Sequence, residues 1–298
     1  MYVKKIELEN FRCFKDTRYV FTEGINVLYG YGKTTVLDAI ERVVEGNCLL
    51  NNDFTCEDAG KIRLLAVMSD DSRASISKGS PESPMLFENV QDLPSSGLTA
   101  KCFRNEDYDF KSDDIPKIEA FLNLFEPCKL EMKDQLVYKT KDCVFNEEML
   151  NSSRKKLINL FLYCASNDII LIDDIDSYLS ARWQWNVLDA IKLTFSDKQV
   201  IASTSSPIII ASTHAACINL SSGNHSDCYG LSVNDAMRVL SAKRLPDKLD
   251  KKIKEFRNLL ARHDMHEAKK LFKEIKRECN SFSTEVTQLD IELSLEDI

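Results

Sequence analysis

The sequence feature that most constrains this chain is a glycine turn between an apolar strand and an amphipathic helix. Residues 25–29 (INVLY) form a short apolar run, and Gly30-Tyr31-Gly32-Lys33-Thr34-Thr35 follows it directly. Over residues 34–44 the apolar positions recur at helical spacing. A strand, a glycine turn and a helix in this order can hold phosphate, because glycine lets backbone N–H groups curl around an anion.

The side chains of this turn are those that nucleotide phosphates need. A lysine reaches the outer phosphates, and a hydroxyl after it holds magnesium. The full pattern G-x-x-x-x-G-K-[ST] has four residues between its glycines, whereas Gly30 and Gly32 have one between them, and Val27 stands where the first glycine is expected. A short structural turn with a solvated lysine is the alternative. The predicted nucleotide-binding residues of the turn are Gly30, Gly32, Lys33, Thr34 and Thr35.

Two regions of the chain differ in their pattern of apolar and polar residues, and this difference predicts two domains. Residues 1–240 alternate strand-like and helix-like patterns, which is typical of an α/β fold. Residues 78–96 hold three of the seven prolines and many serines, which predicts a loop or a mobile insertion. In residues 241–298, apolar positions recur at helical spacing between lysines and glutamates. This region predicts two or three helices, as a helical hairpin or a small appended bundle.

Several segments of the first domain predict individual elements. Alternating apolar and polar residues predict a strand over residues 2–9, and residues 61–69 and 73–77 are predicted to pair as strands. Helices are predicted over residues 116–124 and 152–165.

An apolar strand that ends in acids supplies the second half of the predicted site. Residues 167–172 (NDIILI) are typical of a strand buried on both faces of a parallel sheet, and Asp173 and Asp174 follow it. Because the carboxyl ends of parallel strands share one edge, Asp173 is expected near Lys33, where it can hold magnesium with Thr34. Two alternatives are a structural acid pair and a D-x-D nuclease-type magnesium motif formed by Asp174 and Asp176.

Charge and composition exclude several classes of protein. Lys+Arg 39 against Asp+Glu 47 gives a net charge of −8, which argues against nucleic-acid binding over the whole surface but leaves room for a local basic patch. Basic runs at 251–254 and 269–277 are most often the solvated face of a helix, with a phosphate-backbone role as the alternative.

Three features predict a cytoplasmic protein without membrane contact. The ten cysteines are irregularly spaced, the sequence has no apolar start, and no apolar run is long enough to cross a membrane.

Segments on both sides of Lys33 carry a family resemblance. They are residues 10–12 (NFR), 24–27 (GINV) and 37–40 (LDAI). With the glycine turn, they resemble the RecF/SMC/OLD-like branch of ABC-type ATPases. The resemblance implies an ATPase head with a mixed sheet flanked by helices, ATP and Mg²⁺ as ligands, and Arg12 among the nucleotide-binding residues. Relative to the family, the chain lacks part of the loop between Gly30 and Tyr31.

Later motifs of that family occur in order, but each is altered. Residues 150–157 (LNSSRKKL) resemble the signature segment L-S-S-G-E-K without its glycine, and Ser152 and Ser153 are its signature-like residues; a helix start capped by Asn151 or Ser152 is the alternative. The family's catalytic glutamate is replaced by Asp174, one methylene shorter. At the position of the switch histidine the chain has Ser205. Residues 175–184 resemble the family's subunit-contact loop, with Ser-Ala in place of its usual His-Pro.

The resemblance implies a function, and the alterations modify it. Similar ATPase subunits act in prokaryotic DNA-transaction or anti-phage defence complexes, such as Septu, PARIS and retron-linked systems, beside a separate nuclease or toxin. We therefore expect an ATP-binding subunit that regulates or scaffolds such an effector, forms a homodimer or a larger even-numbered oligomer, and hydrolyses ATP poorly or not at all; DNA contact stays open. The alternative is a non-enzymatic pseudo-ATPase scaffold for oligomerisation and effector docking.

Overall fold

The computed structural model describes residues 1–47, 49, 53, 61–79, 98–104, 111–132, 135–240, 247–278 and 284–296. The chain divides into two compact units, Met1–Ala236 and Met237–Ile298. Residues 80–96 of the predicted loop lie outside the described residues, whereas residues 78 and 79 end a strand.

The strands of the described residues all lie in the first unit. Their bounds are β1 (Val3–Phe11), β2 (Phe14–Val20), β3 (Ile25–Tyr29), β4 (Lys61–Met68), β5 (Arg73–Gly79), β6 (Cys102–Phe103), β7 (Lys129–Met132), β8 (Leu136–Lys139), β9 (Val144–Asn146), β10 (Ile169–Ile172), β11 (Gln199–Ser203), β12 (Ala216–Asn219) and β13 (His225–Ser226).

Helices occur in both units. Those of the first unit are α1 (Lys33–Glu45), α2 (Ile115–Leu122), α3 (Ser152–Ser166), α4 (Ala181–Gln184), α5 (Val187–Thr194) and α6 (Pro207–Ser212), and α7 (Val233–Val239) crosses the boundary between the units. Those of the second unit are α8 (Asp247–Ala261), α9 (Met265–Glu278) and α10 (Thr284–Glu296). Among the described helices, none combines the length and the apolar character that crossing a bilayer requires.

A mostly parallel sheet organises the first unit. Its strand order is β13-β12-β3-β11-β10-β6, in which β13 pairs antiparallel and the other neighbours pair parallel. The predicted mixed α/β fold is therefore confirmed. Because β11 lies between β3 and β10, the carboxyl ends of these three strands meet at one edge. This edge brings the glycine turn and the two aspartates together.

An antiparallel sheet covers the other side of the first helix. Its order is β2-β1-β4-β5, and the pairing of β4 with β5 confirms the predicted pairing of residues 61–69 and 73–77. Val36, Leu37 and Ile40 of α1 are fully buried in a core that contains residues of both sheets. This packing fixes the helix that begins at Lys33. A third, three-stranded sheet has the order β7-β8-β9.

The second unit has its own apolar core. Phe256 of α8, Phe272 of α9 and Leu289 of α10 are buried together in it, and the rings of Phe256 and Phe272 lie 5.9 Å apart. The described part of this unit thus contains three helices, within the predicted range of two or three.

Candidate nucleotide-binding site

The candidate site lies at the edge where β3, β10 and β11 end. Lys33 and Thr34 follow β3, Asp173 follows β10, and Ser205 follows β11. Thr34 Oγ1 donates a hydrogen bond to Asp173 Oδ2 at 2.8 Å, and Lys33 Nζ donates one to Ser205 Oγ at 2.9 Å. The structure therefore brings four of the predicted site residues into direct contact.

The glycine turn is tight and packs against the turn between β1 and β2. Gly30 and Gly32 have φ angles of 100° and 88°, a region that favours glycine. A Cβ atom on Gly32 would lie 2.6 Å from Phe14 Cζ, so the turn could not hold a larger residue here without movement of that ring. The Sγ atom of Cys13 in the same β1–β2 turn lies 3.8 Å from the hydroxyl of Thr35. The loop backbone is thus held close to the first sheet.

The start of α1 can accept an anion. Gly32 is its N-cap and contributes no side chain, so no side-chain bond caps the helix. The first N–H groups of a helix lack partners within it, and the helix dipole makes this end attractive to phosphate. One residue between Gly30 and Gly32 leaves fewer loop N–H groups than the full pattern provides.

The oxygen atoms of Thr34 and Asp173 fit a magnesium ion. Neighbouring ligands of an octahedral magnesium ion lie about 2.9 Å apart when each metal–oxygen distance is about 2.0–2.1 Å. The Thr34 and Asp173 oxygens are 2.8 Å apart. The other carboxylate oxygen of Asp173 accepts a hydrogen bond from Ser203 Oγ at 2.6 Å, which fixes the orientation of the carboxylate. The pair meets the requirement for two adjacent hard ligands.

Asp174 has a backbone in the left-handed region and a carboxyl group whose pKa is raised. Its φ angle is 45°, and its N–H donates to Ser203 Oγ at 2.8 Å. Burial, followed by the neighbouring charge of Asp173, raises the pKa of the Asp174 carboxyl above its ordinary value, although Lys33 opposes this shift. The group predicted to act in catalysis therefore favours its protonated form more than an ordinary aspartate does.

Lys156 is a functional candidate that the sequence analysis missed. Its side chain is 4% exposed, and Nζ donates to the carbonyl of Asp174 at 3.1 Å and to the carbonyl and hydroxyl of Ser177 at 2.7 and 2.8 Å. Burial lowers the pKa of Lys156 to about 8. The available signal was its position four residues before Leu160, on the apolar side of α3.

The signature-like residues Ser152 and Ser153 lie at the start of a capped helix. Helix α3 begins at Ser152, and the side chain of Asn151 caps it by accepting from the Arg154 N–H at 3.0 Å, which is the alternative that the sequence left open. Ser153 Oγ donates to the carbonyl of Tyr178. The structure places these residues at a capped helix start.

Arg154 stands where the family segment has glycine, and its side chain is held by a distant carboxylate. Its Nε and Nη2 atoms donate to the two carboxylate oxygens of Glu126 at 2.6 and 3.2 Å. Its guanidinium also lies 4.9 Å from the ring centre of Tyr138 and 4.6 Å from that of Phe145. Burial would raise the pKa of Glu126, but bonds from Arg154 and Tyr138 outweigh it and hold this pKa below its ordinary value. A planar bidentate pair of this kind fixes both side chains.

Arg12 lies in an ion-pair network. Its guanidinium pairs with Asp38 of α1 and, at 3.0 Å, with the fully buried carboxylate of Asp53. Among the described contacts, none joins Arg12 to Lys33, Thr34 or Asp173. Arg12, like the signature-like serines, is thus a predicted site residue that the described contacts do not join to Lys33, Thr34 or Asp173.

The segment after Asp174 is tied to the turn after β11. Asp176 Oδ1 accepts from the Thr204 hydroxyl and from the Ser205 N–H, and Gln184 Oε1 accepts from Ser206 Oγ at 2.6 Å. These bonds give Asp176 a structural role, which disfavours the D-x-D nuclease alternative. Within the described part of the chain, no group of three or more His, Cys, Asp or Glu side chains is arranged to hold a metal.

Comparisons with solved structures show which fold this chain has. The SMC head domain from Thermotoga maritima matches with a TM-score of 0.52 at 16% identity, over 74% of this chain and 94% of that chain. An SMC head bound to the C-terminal winged-helix domain of ScpA gives 0.54 at 15% identity, over 80% of this chain and 100% of that chain. An SMC head with an extended coiled coil, bound to the C-terminal domain of ScpA from Pyrococcus furiosus, gives 0.52 at 12% identity, over 80% and 98%. These matches show the fold of an SMC-type head.

The family is shown by sequence. No curated protein sequence is significantly similar to this chain. Residues 1–161 match the family model described as the AAA ATPase domain, and this span begins before β1 and ends within α3. It includes the glycine turn and covers more than half of the 298 residues. The predicted resemblance to RecF/SMC-like ATPases is confirmed, and the chain belongs to the AAA ATPase domain family.

Proposed function

We propose that this chain binds ATP with magnesium at the edge of the central sheet. The observation that carries the proposal is the contact of Thr34 Oγ1 with Asp173 Oδ2 at 2.8 Å, beside Lys33 at the uncapped start of α1. In this assignment Thr34 and Asp173 hold the metal, and Lys33, Gly30, Gly32 and Thr35 hold the phosphates. Bound magnesium supplies neutralisation of charge on the β- and γ-phosphates.

We further propose that hydrolysis is slow or absent. The carboxylate of Asp174 is one methylene shorter than the family's glutamate, so it reaches less far toward the water that a general base must contact. Ser205 has no ring nitrogen to contact a γ-phosphate, and it already accepts a bond from Lys33. The signature-like hydroxyl of Ser153 bonds to the carbonyl of Tyr178. Each of these features removes a group that would act late in the reaction.

In this proposal ATP binding changes the state of an assembly. The SMC-head matches include structures with ScpA bound, which makes a head of this fold a plausible platform for another protein. We propose that its partner is a nuclease or a toxin, in a prokaryotic DNA-transaction or anti-phage defence complex. We also propose that two copies of the chain form a homodimer through residues 179–184. Light scattering after gel filtration tests the dimer; a single monomeric species with and without ATP contradicts it.

A pseudo-ATPase scaffold is the second candidate. It is favoured by the short turn, and by the Lys33–Ser205 bond that engages the phosphate-binding lysine within the protein. In this case the head serves oligomerisation and effector docking without a nucleotide.

Thermal unfolding with ATP and magnesium separates the two candidates. A ligand at a hundredfold excess over its Kd stabilises the folded state by about 2.7 kcal/mol. We expect this stabilisation in the unaltered chain, a smaller stabilisation in Lys33→Ala and Asp173→Asn, and its weakening when EDTA removes the metal. Lys192→Ala, an exposed lysine of α5, is the matched control and should respond to ATP like the unaltered chain. No stabilisation of the unaltered chain supports the scaffold.

A further inference from the structure

Helix α9 of the second unit separates its side chains into three stripes. At 100° per residue, one side carries the apolar residues that enter the core of the unit. A second side carries Glu267 and Glu274. The third carries the basic residues Lys269, Lys270, Lys273, Lys276 and Arg277, which we call the basic stripe.

The contacts of the three stripes differ. The acidic side faces α8, since Glu274 pairs with Lys252 at 3.0 Å. One edge of the basic stripe meets α10, where Lys276 lies 3.9 Å from Asp290. The middle of the stripe is exposed, and among the described residues neither Lys273 nor Arg277 has an acidic partner within ion-pair distance. The charges of Lys273 and Arg277 are therefore available to a ligand.

The spacing of the stripe suits a line of negative charges. Lys273 and Arg277 are four residues apart in the sequence, which places them about 6 Å apart along the helix axis. Duplex DNA carries one negative charge for about each 1.7 Å of its axis, so a row of this length meets several phosphates. We propose that the basic stripe of α9 binds the phosphate backbone of duplex DNA, independently of the nucleotide site.

The composition of the stripe favours phosphate over an acidic protein. A stable protein interface has a buried apolar centre, usually with aromatic side chains. The exposed positions of this stripe are lysine and arginine, and the large apolar residue Phe272 is buried in the core. Contacts to phosphate need no apolar centre and carry no sequence information. The binding is therefore expected to be independent of DNA sequence.

Fluorescence anisotropy with a labelled duplex tests the proposal. We would use the full chain, no nucleotide, a duplex of about 20 base pairs and about 50 mM salt, where phosphate contacts are strong. Lys273→Glu with Arg277→Glu should weaken binding at least about tenfold and reduce the salt slope by about two, because each phosphate contact contributes about 0.9 to that slope. The matched control reverses the same charge on α8, with Lys251→Glu and Arg262→Glu, both exposed, and should change affinity less than about twofold if the stripe carries the contacts.

Three results would overturn the proposal. They are no binding by the unaltered chain at low salt, equal losses in the two double variants, and competition by polyglutamate that matches DNA at equal charge. Circular dichroism of each variant shows whether the helices are retained. Lys33→Ala should bind DNA like the unaltered chain, so a failure of the nucleotide proposal and a failure of this one give different results.

Discussion

The two halves of the candidate site are held in different ways. On one side, Thr34 Oγ1 and Asp173 Oδ2, two oxygen atoms suited to magnesium, lie 2.8 Å apart beside a helix start without a side-chain cap. On the side of Asp174, Ser205 and Ser153, the expected catalytic groups are shortened, replaced or bonded within the chain. The first half keeps the lysine and the hard oxygen ligands that phosphate and magnesium need, whereas the second half lacks the family's catalytic glutamate and switch histidine.

This difference teaches that binding and turnover need not be lost together. Ground-state binding depends on charge and hydrogen-bond donors near the phosphates, while turnover depends on groups that act only in the transition state. The chain retains groups of the first kind at Lys33 and Thr34. The predictions below test whether the two halves really separate, from the largest expected effect to the smallest.

The largest expected effect is on ATP turnover. We expect a rate at least a hundredfold below the roughly 10 per second of a median enzyme, because displaced catalytic groups cost orders of magnitude. Lys33→Ala should change this rate little, since the step it supports is already compromised. A phosphate-release assay measures both proteins. Turnover of about 1–10 per second that Lys33→Ala abolishes would contradict the separation of the two halves.

A gain of turnover is expected from Asp174→Glu. The added methylene moves the carboxylate toward the position that the family's glutamate occupies, and a positioned general base is worth about a hundredfold or more. Since Ser205 and the short turn are unchanged, we expect an increase of only about tenfold. Asp174→Asn is the control and should show no increase. If Glu and Asn at this position gave equal rates, Asp174 would not belong to the catalytic half.

The sequence predicted one half of the site better than the other, for a physical reason. Thr34 and Asp173 could be paired in advance because parallel apolar strands must end at one edge. The burial of Lys156 depends on the carbonyls of Asp174 and Ser177, which belong to a loop that no pattern specifies. Local periodicity defines elements, but it does not show which side chains meet across them.

The two arginines illustrate the same limit. The anchoring of Arg154 on Glu126 depends on how the helix start packs against a distant segment. The resemblance placed Arg12 at the nucleotide, whereas the structure pairs it with Asp38 and Asp53. Both outcomes depend on which carboxylates the fold brings within reach.

The buried amine of Lys156 should give the chain a specific pH dependence. Its pKa is about 8 in the folded state and about 10.4 when unfolded, so between these values the unfolded state binds more protons and stability rises with pH. Relative to Lys156→Met, the free energy of unfolding should therefore increase by about 3 kcal/mol between pH 7 and pH 11. Urea unfolding across this range measures it.

Lys192→Met serves as the control for this experiment. Lys192 is exposed, so its variant should follow the unaltered chain at every pH. Parallel curves for the unaltered chain and Lys156→Met would mean that Lys156 is not held as an unfavourable buried charge, and that the loop after Asp174 is less firmly anchored than its three hydrogen bonds indicate.

The smallest expected effect is that of Ser205→Ala, and it tests the contact that joins the two halves. The bond from Lys33 to Ser205 is exposed, so its loss should change the free energy of unfolding by less than about 0.5 kcal/mol. The same loss frees Lys33 for phosphate, and the Kd for ATP should fall about twofold, as expected for an exposed hydrogen bond of about 0.5 kcal/mol. Titration calorimetry with ATP and magnesium measures this change. In a Lys33→Ala background, Ser205→Ala should leave the Kd unaltered, because the Lys33–Ser205 bond that it would break is already absent. This double-mutant cycle isolates the interaction of the two residues. An equal effect in both backgrounds would show that Ser205 acts on the nucleotide without Lys33.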